Sequence, residues 1–598
     1  MRCSTVSCPR SSAIMESALL MDAPPVRKGA ESMTMRAALF GDYPIPEDTV
    51  ELAHAIAPHG NRLMHLRDHF GMLFDNQQFS TLFSHTGQPA LAPARLAMVT
   101  ILQFMEDLPD RQAADAVRMR IDWKYVLGLP LADRGFDASV LSEFRARLVA
   151  GDGASILFET LLERLRDYGL LRTRGQQRTD STHVLAAVRG LSRIECLGET
   201  MRATLNALAT VAPAWVRCQI PPPWFDRYGP RADAYRFPKA AADRQRLAEQ
   251  IGADGFELLT LLAAPTAPRE LHVHPAVCIL RRVWWQQYHA PNGPVRWREV
   301  ADMPPSRMRI HSPYDRDAQY STKRNMEWTG YKVHLTETFD ADLPCLITHV
   351  LTTPSTIRDG EVLDQIHEGL ARHDLLPSTH LVDTGYTDAA AMLTSQSTYG
   401  ITLCGPIARD SAWQAKDPTA FDITRFQVDW DAKVVICPQG HASTKWISHQ
   451  DRHGNPAIRV TFRPRDCRAC PVRTQCTHTA TAARGLSLRP REQHEVLQQR
   501  RHAQTTDAFK RQYAKRAGVE GLMSQATRVC GMRQSRYGGM AKTRLQHVLT
   551  ACALNLLRSV AWVTGGSRHQ TQTSRFVALR PPPALSQIRE QTRLHSHQ

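Results

Sequence analysis

The stretch Gln176-Gln-Arg-Thr-Asp180-Ser-Thr-His-Val-Leu185 is short, rich in β-branched residues and set between segments of helical periodicity. That composition predicts a β-strand. Two more strands are predicted where residues alternate, in Tyr331-Lys-Val-His-Leu-Thr-Glu-Thr338 and in Leu346-Ile-Thr-His-Val-Leu-Thr-Thr353. A helix follows on Val362, Ile366 and Leu370, and His380-Leu-Val-Asp-Thr-Gly385 then reads as a buried strand ending in a turn. A helix over Ala389–Leu393 and a strand at Ile401-Thr-Leu-Cys404 complete the series. With the helical stretch after the first strand set aside, the order is β-β-β-α-β-α-β.

Three meandering strands followed by crossover strands make an α+β, ribonuclease-H-like mixed sheet flanked by helices. Working outward, residues 1–45 are irregular and residues 46–172 are helical. Leu96, Val99, Leu102, Phe104 and Met105 mark one apolar helix, with Pro93 tolerable in its first turn. Asp137 and Ser139 are candidate N-caps for another, whose apolar face is Val140, Leu141, Phe144 and Leu148 and whose opposite face holds Arg145 and Arg147. This region is expected to form a small all-helical domain with basic residues on some exposed faces. The sheet domain is expected over 173–185 and 310–430, with a helical insertion over 186–309, interrupted by a loop at Pro221-Pro-Pro-Trp-Phe225. A cysteine-rich insertion over 431–485, basic helices over 490–562 and a disordered tail over 563–598 follow.

No apolar window of membrane-spanning length occurs; the best, Leu549–Val563, is broken by Asn555 and Arg558. The N-terminus lacks an apolar signal core. Thirteen cysteines in 598 residues are too sparse for a disulfide scaffold, so a reducing cytoplasm is expected. The net charge of +16 is unevenly placed: Asp451–Val560 holds 21 Lys and Arg against 6 Asp and Glu, a balance of +15. A polyanion partner accounts for that asymmetry, because each cation set on a phosphate releases condensed counterions. A solvated basic face accounts for it equally well.

Asp180 falls mid-strand and Asp383 at the end of the fourth strand, and in this sheet the first and fourth strands are neighbours. Two carboxylates that converge repel, and a divalent cation between them relieves the repulsion. Mg²⁺ favours one or two carboxylates, waters and phosphate oxygens. The segment Asp507–Val529 is predicted helical and basic, and Glu520 is the sole acid between Asp507 and Arg558. Tyr513, Arg516 and Glu520 fall within an arc of about 60° on an ideal helix. Glu520 is there either an ion-pair partner or a metal ligand.

Asp180, Asp383 and Glu520 resemble the DDE triad of bacterial insertion-sequence transposases, and Tyr513-x₂-Arg516-x₃-Glu520 is similar to the start of their Y-R-E-K signature. Other stretches resemble the branch that can be called the IS-eleven-eighty-two type. They are Asp110-Arg-Gln-Ala-Ala114, Gly128-Leu-Pro-Leu131 with Phe136-Asp137, Ser312-Pro-Tyr-Asp-Arg-Asp-Ala-Gln-Tyr-Ser321, Trp328-Thr-Gly-Tyr-Lys-Val-His334, Val382-Asp-Thr-Gly-Tyr386 and Leu545-Gln-His-Val-Leu-Thr550. The resemblance implies two Mg²⁺ (or Mn²⁺) ions on Asp180, Asp383 and Glu520. Its implied partners are double-stranded DNA, as terminal inverted repeats and as target, and a second copy of the chain in that complex. For the all-helical region over 46–172 it implies DNA binding. The implied place is the bacterial nucleoid. Tyr513, Arg516, Arg511, Lys515 and Arg528 become candidate DNA contacts. The signature's lysine falls on Thr527, so either the adjacent Arg528, about 100° round an ideal helix, replaces it or that phosphate contact is lost. A non-catalytic or domesticated DNA-binding protein, and a metal-dependent nuclease without strand transfer, are the alternatives.

Cys437, Cys467, Cys470 and Cys476 give C-x₂₉-C-x₂-C-x₅-C, and four thiolates can close a structural, zinc-ribbon-like Zn²⁺ site. The resembled branch also carries cysteines here. His441 and His478 are spare candidates, and free thiols in a loop are the alternative. Cys196, Cys218, Cys278, Cys345, Cys404, Cys530 and Cys552 are expected to fill cores. Asp315 and Asp317 are either aids to the metal site or polar turn residues, and Trp328 either stacks on a base or packs.

Overall fold

The computed structural model describes residues 43–84, 88–231, 237–289, 293–323, 326–408, 410–451, 454–479 and 481–566, with isolated positions 33–34, 576 and 579. Most of the two terminal segments read above as irregular and disordered lies outside the described residues.

The central sheet has six strands: β1 (Gln176–Leu185), β2 (Gln319–Lys323), β3 (Met326–Thr338), β4 (Ile347–Pro354), β5 (Thr379–Leu381) and β6 (Thr402–Cys404). Its order is β2-β3-β1-β5-β6, and β4 also pairs with β3. The β1–β3 and β3–β4 pairs are antiparallel, whereas β1–β5 and β5–β6 are parallel. This is the mixed meander-then-crossover order expected from the sequence. The hairpin of β2 with the first residues of β3 was not expected: its residues are polar and partly exposed at the sheet edge, so they carry no clean alternation.

Helices α1 (Pro93–Met105) and α2 (Gly153–Asp167) represent the N-terminal helical region. Pro93 stands in the first turn of α1, where its missing N–H costs nothing. In the helix Ser139–Ala150 neither Asp137 nor Ser139 caps by side chain as N-cap; Asp137 instead accepts from the Ser139 amide at 2.8 Å. Arg145 does not face solvent either. It is buried and paired with Asp110 at 2.5 Å, because the core side of that helix meets the acidic start of the helix Asp110–Met119.

The insertion is built on α3 (Arg193–Val211), α4 (Ala241–Ala263) and α5 (Pro275–Gln287), around a core of its own that includes Leu197, Leu258, Leu280 and Trp284. The expected loop at Pro221–Phe225 is largely helix: Pro222–Tyr228 is helical with proline in its first turn and Trp224 turned inward. Cys218 and Cys278, expected in cores, are exposed.

After β4, α6 (Leu363–Arg372) and α7 (Ala389–Tyr399) flank the crossover strands. The cysteine-rich segment forms a two-stranded ladder of β7 (Gln427–Asp429) with β8 (Val434–Ile436). A three-stranded sheet of β9 (Lys445–Gln450), β10 (Pro456–Thr461) and β11 (Gly485–Leu488) follows it. Phe426, Val435, Val460, Phe462, Leu486 and Leu488 form its core.

The chain closes with α8 (Arg491–Ala503), α9 (Asp507–Ala514), α10 (Gly518–Cys530) and α11 (Met540–Val563). The expected single helix over Asp507–Val529 is interrupted by a 3₁₀ turn at Lys515–Ala517. Helix α11 lies between β4 and the N-terminal helices, so residues such as Leu102, Leu161, Val333 and Leu549 share one core. Burial on nearly all sides demands partners for its polar groups. Asn555 therefore accepts from the Ile347 amide at 2.7 Å and donates to the Ile347 carbonyl at 2.8 Å. No helix among the described residues is long and apolar enough to cross a membrane.

Candidate active site

Strands β1 and β5 run parallel, with Gln176 opposite Thr379 and Arg178 opposite Leu381. Continuing that register past the last pair sets Asp180 level with Asp383. Asp383 stands two residues beyond β5, not within it, as N-cap of a 3₁₀ turn at Thr384–Tyr386. Its carboxylate accepts from the Gly385 amide at 2.8 Å. The two carboxylates thus share the mouth where the chain leaves the sheet, and they sense each other's charge. Burial pushes the Asp180 carboxyl above the usual range, Arg516 and the Ser181 amide pull it back, and Asp383 pushes it up again.

Arg516, in the 3₁₀ turn between α9 and α10, pairs with Asp180 at 2.7 Å, both side chains being largely enclosed. Tyr513 stacks on Phe509 with ring centroids 5.8 Å apart. Burial raises the Tyr513 phenol, Arg516 opposes this, and the negative charges of Asp383 and Asp180 add to it. Tyr386 is buried under the mouth, and its hydroxyl meets His334 Nδ1 at 2.6 Å.

Glu520 is exposed in the first turn of α10, four residues and so about 6 Å of helix beyond Arg516. Among the described residues it has no ion-pair partner, so the salt bridge open to it from the sequence is not formed. The structure brings together Asp180, Asp383, Tyr513 and Arg516; Glu520 stands one turn away. Among the described residues no group of three or more His, Cys, Asp or Glu side chains is arranged to hold a metal ion. Arg511, Lys515 and Arg528 are exposed on the same helical segment. Thr527 turns its hydroxyl onto its own helix, donating to the Met523 carbonyl at 2.7 Å.

Two family models match the chain. A model described as "Transposase DDE domain" matches residues 436–560, and one described as "Transposase domain (DUF772)" matches residues 51–147. The first spans the cysteine-rich module and the helices carrying Arg516 and Glu520; the second lies in the N-terminal helical region. Both matches are to transposase domains and support an insertion-sequence DDE transposase. Searches of curated proteins and of solved structures gave no match to the chain.

The structure holds four of the cysteines together. Cys437, Cys467, Cys470 and Cys476 line one cavity of about 30 Å³, with His441, Phe426 and Phe462 among its walls. Cys437 begins a tight turn whose Gly440, at φ 80°, donates to the Cys437 carbonyl at 2.9 Å. Burial pushes the Cys476 thiol up to about 11. His478 instead stacks on Trp413, with centroids 3.8 Å apart.

Trp328 is buried, donating to the Tyr331 carbonyl at 3.3 Å, which leaves packing as its role. Asp315 is buried as well. It accepts from the Tyr331 hydroxyl at 2.6 Å and the Gly539 amide at 3.0 Å, while Asp317 accepts from the Met540 amide at 3.1 Å. Both therefore anchor the start of α11. Sequence reading missed Arg178, Glu337 and Arg558, which pair beneath α10. Charged residues predicted to sit inside a strand and an apolar helix were the available signal.

Proposed function

We propose that this transposase cleaves DNA strands at the ends of its element and joins the freed 3′-hydroxyl to target DNA, by two-metal phosphoryl transfer on a ribonuclease-H-like sheet. The observation that carries the reading is Asp180 and Asp383 meeting at the mouth of adjacent parallel strands, with Arg516 beside them. The donor set fits hard divalent cations. Asp180 and Asp383 are oxygen ligands sharing one mouth, and Glu520 is a further carboxylate on the overlying helix with no cation partner among the described residues. Asp180, Asp383 and Glu520 would hold two Mg²⁺ or Mn²⁺ ions. When bound, such ions activate the attacking oxygen and neutralise charge on the leaving oxygen.

The chain's own residues bind and orient. Arg516, Arg511 and Lys515 offer cations to the phosphates flanking the scissile bond, and Arg528 stands about two turns along the helix from Glu520. Tyr513 closes one side of the mouth. In cleavage, water oxygen bonds to phosphorus as the bond to the 3′-oxygen breaks, leaving a 3′-hydroxyl and a 5′-phosphate. In joining, that hydroxyl takes the place of water. Positioning and charge neutralisation supply most of the rate in such transfers. The N-terminal helices are assigned to the inverted repeats, and the copy number in the working complex to two chains. The four cysteines fit a structural Zn²⁺, since all line one small cavity and four thiolates suit a closed tetrahedral site.

The test is cleavage of a supercoiled plasmid that carries the gene with its flanking DNA. Mg²⁺-dependent nicking at the element ends, lost in Asp180→Asn, Asp383→Asn and Glu520→Gln, supports the reading. Cutting that ignores the element ends, or that survives these substitutions, refutes it.

A further inference from the structure

Arg178 and Asp180 are two residues apart on β1 and so project from the same face of the strand. The Arg178 side chain is nearly enclosed. Its Nε donates to Glu337 Oε1 at 2.8 Å, and its Nη1 donates to the Lys515 carbonyl at 2.6 Å. That carbonyl belongs to the 3₁₀ turn that carries Arg516 and leads into α10. Glu337, only 1% exposed, gives its second oxygen to Arg558 Nη1 at 2.6 Å. Arg558 of α11 also donates to the Cys345 carbonyl at 2.8 Å and, through Nε, to Gln525 in α10 at 3.0 Å. Helix α10 is thus held at its entry by Arg178 and near its middle by Arg558, and both arginines are fixed by one buried carboxylate on β3.

Gly518, the first residue of α10, completes the arrangement. A Cβ at this position would overlap the Arg178 guanidinium. A guanidinium tied to Glu337 and to a backbone carbonyl has nowhere to retreat, so the close approach of α10 to the sheet requires glycine. Its helical φ of −63° makes this a demand of space and not of backbone angle.

We propose that Arg178 is a positioning residue for phosphoryl transfer: by hydrogen-bonding the turn before α10 it sets Arg516 and Glu520 over Asp180 and Asp383. The proposal rests on the two-metal reading above. Its chemistry requires arginine, because a planar fork reaches the carboxylate and the carbonyl together, whereas a lysine offers one point charge. Groups that orient metal ligands from behind typically alter metal affinity or activity by roughly 10–100-fold when replaced.

The test uses the full-length protein and the plasmid above. Arg178→Lys keeps the charge and removes the fork. Gly518→Ala keeps Arg178 and displaces it. For each, single-turnover nicking is followed against Mg²⁺, DNA binding is measured with Ca²⁺ in place of Mg²⁺, and the urea midpoint is recorded. Both variants are expected to nick roughly 10–100-fold more slowly, to need several times more Mg²⁺ for half-maximal rate, and to bind DNA within about twofold of the wild type. Mn²⁺, which is less demanding of ligand geometry, is expected to recover part of the rate. An unchanged Mg²⁺ midpoint in both variants overturns the inference, whether the rate holds or falls in step with the urea midpoint. Glu520→Gln separates this from the underlying reading. If Glu520→Gln nicks like the wild type, the two-metal reading fails and the inference with it. If Glu520→Gln is inactive while Arg178→Lys and Gly518→Ala keep the wild-type Mg²⁺ midpoint, the inference alone fails.

Discussion

Replacing Asp315 should unfasten α11 from the sheet without touching the metal chemistry. The carboxylate is 2% exposed and accepts four hydrogen bonds: Tyr331 Oη at 2.6 Å, the Asp317 and Ala318 amides at 3.2 and 3.1 Å, and the Gly539 amide at 3.0 Å. Hydrogen bonds to a charged group are each worth roughly 1.5–3 kcal/mol net, and they do not add fully. Asp315→Ala strips four donors of their acceptor at once, so a loss of about 4–5 kcal/mol is expected. Asp315→Asn keeps one carbonyl oxygen for the three donors on that side but turns an amide NH₂ toward the Gly539 N–H. The loss there is about 2–3 kcal/mol. Tyr331→Phe removes one donor and leaves the carboxylate with three, which should cost about 1 kcal/mol. Urea unfolding followed by tryptophan fluorescence reads the series, and plasmid nicking against Mg²⁺ reads the site. Asp315→Asn as stable as wild type would refute the anchoring argument. A shifted Mg²⁺ midpoint in a stable Asp315→Asn protein would return Asp315 to the metal site.

Acid should weaken the fold before it titrates the surface carboxylates. Burial lowers His334 and His367 to about 4 and His349 and His547 to about 3. The unfolded chain takes up these protons below about pH 6.5, so stability is full above that value and falls toward pH 4 by roughly 1.4 kcal/mol per pH unit per histidine. Equal urea midpoints at pH 7.5 and pH 5 would contradict this. Chelation under reducing conditions is expected to release one zinc per chain and to unfold the module around Cys437, Cys467, Cys470 and Cys476, detected by metal analysis and proteolysis; a metal-free module of unchanged protease resistance would exclude the zinc. Six to ten phosphate contacts would give DNA binding a logarithmic salt slope of about −0.9 per contact, and neutralising Arg511, Lys515 and Arg516 should flatten it by roughly one unit for each residue that touches a phosphate. Arg528→Ala should reduce nicking more than binding; equal losses would make Arg528 an ordinary backbone contact.

The parts of this protein that were legible in the sequence are those with local causes. Strand β1 announces itself through β-branched residues, and the register that sets Asp180 level with Asp383 follows from strand order. The turn after Asp383 was signalled by Gly385. What escaped has causes spread along the chain. Arg178 finds Glu337 159 residues away, and Arg558 finds the same carboxylate 221 residues away. No local pattern shows that one arginine on a strand, another on a helix and a strand glutamate will share one buried site. Arg145 was misplaced for the same reason, since its partner Asp110 lies on another helix. The break at Lys515–Ala517 was missed because its residues have good helix propensity; the turn is held by the Arg178 contact to the Lys515 carbonyl, which is a tertiary effect. Asn555 and Arg558, which ruled out a membrane span, proved to be what fastens α11 to the sheet.

Counting Mn²⁺ ions bound by the DNA-loaded protein, from the electron paramagnetic resonance of the free ion, tests the central claim most directly. The account predicts two tightly held ions per chain in the wild type and a loss of affinity for at least one of them in each of Asp180→Asn, Asp383→Asn and Glu520→Gln. Two ions held with wild-type affinity by Glu520→Gln would contradict it, and would take Glu520 out of the site.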